Sequence, residues 1–134
     1  MAAETTETLD IRSSADVVAV RQATRALAER VGFSLVDQTK LVTAASELAR
    51  NTINYGGGGS VRLDLVENGV RRGVRLTFED QGPGIPDIQQ ALKDGFTSGQ
   101  GLGLGLGGAR RLVNDFSIDS APGAGTRVMI ARWK

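Results

Sequence analysis

Between Gly99 and Gly108, six residues of ten are glycine, and from Gly101 to Leu106 they alternate strictly with leucine. Each glycine loses more backbone freedom on folding than any other residue, so such a cluster costs an ordinary helix or strand its stability. What glycine offers in return is positive φ and close backbone approach to a ligand with no Cβ in the way. Amide groups ahead of a following helix, expected here over Arg110, Arg111, Leu112 and Val113, suit phosphate oxygens. The segment reads as a phosphate cradle, with a mobile unconstrained loop as the alternative.

Several ways of holding phosphate are excluded. Gly103, Gly105 and Gly108 satisfy G-x-G-x-x-G, but the dinucleotide fingerprint needs an apolar strand immediately before it, and Leu92 to Gln100 is polar and glycine-broken. No Gly-Lys pair exists, so there is no P-loop. Histidine is absent, which removes the His-Arg-Asp loop of ordinary protein kinases, Ser-His-Asp hydrolysis and most zinc sites. Cysteine is absent too, excluding disulfides and thiol catalysis and fitting a reducing cytoplasm. Sixteen basic and fifteen acidic residues leave a net charge of +1, and aromatics make up 4%, so neither nucleic acid nor membrane is an expected partner. No apolar run approaches the ~20 residues of a membrane span, and Met1 to Asp10 is too polar for a signal peptide.

The 134 residues, 40% hydrophobic and 23% charged, predict one globular domain spanning 1–134. Leu9 and Ile11 predict a short first strand. Ser13 with Asp16 reads as a capping box before a helix carrying Val20, Ala23, Leu27 and Val31, closed by Gly32. Ser34 and Asp37 repeat the pattern before a second helix, with Leu41, Ala45, Leu48 and Thr52 on one stripe; Tyr55 ends it and Gly56 to Gly59 read as a flexible connector. Val61, Leu63 and Leu65 alternate with Arg62 and Asp64, Asn68-Gly69 signals a turn, and Val74, Leu76 and Phe78 alternate with Arg75 and Thr77. Phe116 and Ile118, a turn over Pro122 to Gly125, then Val128 and Ile130 predict a closing hairpin. The expected fold is a two-layer α/β sandwich, a mixed but mostly antiparallel sheet with helices on one face and water on the other.

Two further places invite chemistry. In Asp80-Gln81-Gly82-Pro83-Gly84 an aspartate at a strand end can accept from an exocyclic amine while glycines admit a flat base; a capped Pro-Gly turn is the plainer reading. Glu47 and Asn51, spaced i, i+4, share one helix face. The helical wheel sets Glu47 opposite the apolar stripe, where a solvated carboxylate is the plain reading. With a nucleotide above, Asn51 becomes an oxygen ligand for Mg²⁺ and Glu47 a base or water positioner.

Together these places resemble the ATP site of the GHKL superfamily, which includes DNA gyrase, the large heat-shock chaperone and histidine kinases. Glu47-Leu48-Ala49-Arg50-Asn51 is similar to its N box, Asp80 to Gly84 to its first glycine box, and Gly101 to Gly105 to its second. The resemblance implies a Bergerat fold with ATP under a lid drawn from Ile85 to Gly101. It assigns the adenine amine to Asp80, with Gly82 and Gly84 bordering the base and Thr126 supporting it. Mg²⁺ falls to Asn51, the catalytic base to Glu47, and phosphate contacts to Gly101, Gly103 and Gly105.

Within that superfamily the chain resembles the anti-sigma regulatory serine kinases, and among them the switch kinases of the bacterial stressosome. Thr43 to Asn51, Glu79 to Asp87 and Asp94-Gly95-Phe96 carry this likeness, and Gly107-Gly108 departs from it where a proline is expected. The implied activity is Mg-ATP-dependent phosphorylation of a serine or threonine on a STAS-domain antagonist. The freed kinase would then activate a metal-dependent serine phosphatase of the PPM type. The alternative implied by the wider group is an anti-sigma factor that sequesters a sigma factor, with kinase activity secondary.

Overall fold

The computed structural model describes residues 2–85, 87–88, 92 and 105–134. Strand β1 (Ala2–Ile11) leads to helices α1 (Ser14–Val31) and α2 (Leu35–Asn54), strands β2 (Gly59–Asn68) and β3 (Arg71–Asp80), helix α3 (Gly105–Arg111), and strands β4 (Asp115–Ser120) and β5 (Thr126–Trp133). The strands form one sheet in the order β1-β2-β3-β5-β4. Every described pairing is antiparallel, in keeping with the mostly antiparallel sheet expected.

Capping fixes both long helices. The Asp16 carboxylate accepts from the Arg12 and Ser13 amides at 2.8 and 3.2 Å. Ser34 Oγ accepts from the Asp37 amide at 3.1 Å, and Gly32 ends α1 at φ 94°. Val20 and Leu27 of α1 and Leu41 and Leu48 of α2 bury against Val61, Leu63, Val74, Leu76 and Ile130 of the sheet. Helix α2 lies between α1, the sheet and α3, so burial extends beyond one stripe, from Leu41 to Thr52.

Three expectations change. Strand β1 runs ten residues rather than a few, because its Thr- and Glu-rich start pairs with β2 from Glu67 down to Asp64 before a bulge between Thr5 and Glu7. The β2–β3 turn sits one residue later than the Asn-Gly signal: Asn68 pairs with Arg71, and Gly69 takes φ 64°. Helix α3 begins at Gly105, inside the glycine run, because Leu106 and Ala109 drop into the core. Their burial outweighs poor helix propensity.

The face of the sheet turned from the helices is not simply wet. Asp64 there is fully buried, bonded by Thr5 Oγ1 at 2.8 Å and by Arg75 at 3.0 and 3.1 Å, with Arg62 at 3.4 Å. Burial alone would push its carboxyl up. The hydrogen bonds from Thr5 and Arg75 and the two positive charges outweigh that and hold it below the usual carboxylate range. At the far corner, Trp133 packs beside Gly73, donates to Asp115 at 2.8 Å and lies under the Arg71 guanidinium. Arg132 ties three elements together, donating to Asp37 at 2.7 Å and to the Leu112 carbonyl at 2.8 Å. The bond from Arg132 lowers the Asp37 pKa against partial desolvation.

A folded carboxyl with a depressed pKa stabilises fully above its unfolded value of about 3.9 and loses that contribution as pH falls toward the folded value. Asp64→Asn should therefore cost about 1–3 kcal/mol at pH 7, read as a lower urea midpoint with unchanged slope, and much less at pH 3. An equal loss at both pH values would contradict this account of Asp64.

Candidate functional site

The site grows from one row of the sheet. Gly59, Asp80, Thr126 and Ser120 are direct partners across β2, β3, β5 and β4. Directly opposed residues project to the same face, so Asp80 and Thr126 stand side by side toward the helices. With Asn51 of α2 and Tyr55, which caps that helix, they line one pocket, walled by Leu48, Phe78, Val128, Ile85 and Leu106. An apolar slot with a carboxylate and a hydroxyl at one end has the lining chemistry that an amine-bearing flat ring calls for.

Backbone packing holds Asp80 in place. The Gly82 amide donates to its Oδ1 at 2.9 Å. A Cβ on Gly56 would lie 2.6 Å from Asp80 Oδ2, and one on Gly82 would lie 2.6 Å from the Gly56 Cα. The stretch Gly56 to Gly59 is thus no loose connector. Its amides cap α2, from Gly56 and Gly58 to the Thr52 carbonyl and from Gly57 to Ile53, and it presses the chain against Asp80. Gly84, at φ 81°, turns against the Ala121 carbonyl, and the Gly123 amide donates to Pro83 at 2.7 Å. The glycine box is therefore fastened to the β4–β5 turn.

Glu47 lies one turn before Asn51, at 2% exposure, and its carboxylate meets Arg50 at 3.2 Å. The wheel expectation of a solvated face fails: α2 is packed by α1 and α3 as well as by the sheet, and Glu47 is buried. Gly105 opens α3 and is buried, while Gly101 and Gly103 lie outside the described residues.

The profile of the histidine kinase-, DNA gyrase B- and HSP90-like ATPases matches residues 36–134. The chain belongs to that family. It is 45% identical over 118 residues to the serine/threonine-protein kinase RsbT of Bacillus subtilis, covering 88% of this chain and 89% of the relative. It is 33% identical to an anti-sigma F factor of Bacillus licheniformis, over 70% of this chain and 68% of the relative. The structure of the RsbU and RsbW domains of Rv1364c from Mycobacterium tuberculosis superposes with a TM-score of 0.63 over 96% of this chain and a third (33%) of that longer one, at 21% identity, a likeness of fold alone. This GHKL protein is thus an ATP-binding serine/threonine-protein kinase. No helix among its described residues is long and apolar enough to cross a membrane.

Sequence reasoning missed Tyr55, Gly56 and Ser120. Tyr55 was read only as a helix end, yet it lines the pocket, and burial pushes its phenol up. The four-glycine run after the N box was the available signal for Gly56, since close approach explains it better than flexibility.

Gly56→Ala should force its methyl into the Asp80 carboxylate and weaken ADP binding by about tenfold or more. Gly57, at φ 71° with open space around its Cβ position, is the control. Gly57→Ala should cost about 1 kcal/mol of stability and leave the calorimetric ADP affinity unchanged.

Proposed function

We propose that this kinase transfers the γ-phosphoryl group of Mg-ATP to a serine or threonine of a STAS-domain antagonist protein. Release from the phosphorylated antagonist would free it to activate a metal-dependent serine phosphatase of the PPM type. The observation that carries the reading is the Asp80–Thr126 pair, set across one pocket from Asn51, which lies one helical turn after Glu47 on α2. In this reading Asp80 accepts from the adenine amine, Gly82 and Gly84 let the base lie close to backbone, and Thr126 completes the polar end. Gly101, Gly103 and Gly105 serve the phosphates.

The donor set fits magnesium. The described residues hold no cluster of three acidic or histidine side chains, so an ion at Asn51 would take most of its ligands from phosphate oxygens and water, as Mg²⁺ prefers. Bound there, it would neutralise developing charge on the phosphates. Glu47 would accept the acceptor hydroxyl's proton as that oxygen bonds to the γ-phosphorus and the bond to the β–γ bridging oxygen breaks, leaving ADP. The Arg50 guanidinium, about one-third exposed, keeps the buried Glu47 carboxylate paired until the hydroxyl arrives.

Phosphorylation adds roughly two negative charges to the antagonist, enough to break a close interface by repulsion and desolvation. The cytoplasm is the proposed setting, with residues 1–134 acting as one domain. The 33% identity to an anti-sigma F factor favours a second reading, sequestration of a sigma factor with phosphorylation as the release step. Parallel pull-downs with a STAS protein, a PPM phosphatase and a sigma factor separate the two.

Three variants test the site. Glu47→Gln should lower phosphoryl transfer by about 100-fold or more while ATP still binds. Asp80→Asn should weaken ATP by about tenfold or more, since an amide group cannot accept as the carboxylate does. Asn51→Ala should abolish the magnesium-dependent gain in ATP affinity. Wild-type ATP affinity in Asp80→Asn would sink the adenine assignment.

A further inference from the structure

Ser120 ends β4 and has no role in the family resemblance or in the reading above. Its hydroxyl nevertheless meets three polar groups: it accepts from the Ile85 amide at 2.8 Å, lies 3.0 Å from the Gly125 carbonyl, and lies 2.8 Å from Thr126 Oγ1. A serine hydroxyl has one hydrogen to give and two lone pairs. The Ile85 amide takes one lone pair. The Gly125 carbonyl can only accept, so the hydrogen goes there. The second lone pair is left for Thr126, whose own hydrogen must then point at Ser120. Every group is satisfied in this arrangement, and in the reverse one Ser120 gives nothing to the buried Gly125 carbonyl.

Thr126 Oγ1, its hydrogen committed, faces the pocket with lone pairs only, beside the carboxylate of Asp80. Two acceptors side by side receive a ring amine, directly or through one water, and repel a ring carbonyl. We propose that Ser120 is a positioning residue that fixes Thr126 as an acceptor and so selects a 6-amino over a 6-oxo purine nucleotide. This rests on the reading of the Asp80 pocket as the base site.

The test is calorimetric binding of ADP and of IDP, each with magnesium, which avoids turnover and any protein substrate. Ser120→Ala should free the Thr126 hydroxyl to turn and donate. ADP should weaken about three- to tenfold, the worth of one hydrogen bond, while IDP holds or tightens, so the ADP-over-IDP preference falls. Ser120→Thr, which keeps the hydroxyl, should restore the preference. Thr126→Val should reduce it as well, and adding Ser120→Ala to that variant should leave the ratio where it is. Ser120→Cys, closer in size and a poor donor, gives the same readout should the alanine variant not fold.

Equal losses for ADP and IDP in Ser120→Ala would show a merely structural serine and overturn the proposal. Asp80→Asn is measured alongside. If it loses ADP while Ser120→Ala keeps the wild-type preference, only the role of Ser120 fails. If Asp80→Asn binds ADP normally, the base-site reading fails with it.

Discussion

A carboxylate wedged between two glycine backbones is the constraint from which the rest of this site follows. Asp80 has almost no room to choose a rotamer, because Gly56 flanks it and the Gly82 amide bonds one of its oxygens. That geometry requires the C-terminal end of α2, the end of β3 and the Gly82–Gly84 turn to meet with no Cβ between them. Asn51 is delivered to the pocket by that contact, and Glu47 lies buried one helical turn before it. A binding group held this way loses little entropy when a ligand arrives.

The sheet supplies precision of another kind. Direct opposition across antiparallel strands sets Asp80 beside Thr126 and Thr126 beside Ser120, and register errors of one residue would turn each to the wrong face. Asp64, on the reverse face, fixes the register in the other half of the sheet. Its bonds to Thr5 and Arg75 join β1, β2 and β3 with a buried charge that has no equivalent partners in a slipped alignment.

Much of this was legible in the chain itself. Period-two and period-3.6 patterns located the five described strands and both long helices, and three of the residues singled out in the sequence, Asn51, Asp80 and Thr126, line one pocket. What escaped was set by tertiary packing. The glycine run after α2 reads in sequence as a flexible connector because the partner of Gly56, Asp80, lies 24 positions away. Glu47 was misjudged because a single-helix wheel knows nothing of the elements packed around α2. Asp64 looked like a surface acid for the same reason: alternation gives the face of a residue, and only its neighbours decide whether water reaches it. The α3 start was missed because Leu106 and Ala109 outweigh the glycines around them.

Trp133 and the Asp80 pocket occupy opposite ends of one ladder: Gly73 pairs with Trp133 where Asp80 pairs with Thr126, seven residues along. At about 3.3 Å per residue the separation is roughly 23 Å. The sole indole of the chain, anchored by Asp115 and Arg71, is thereby an optical gauge of whether the sheet is intact. Fluorescence and calorimetry accordingly watch different events in this molecule, and a substitution that damages the fold is told apart from one that empties the pocket without any added label.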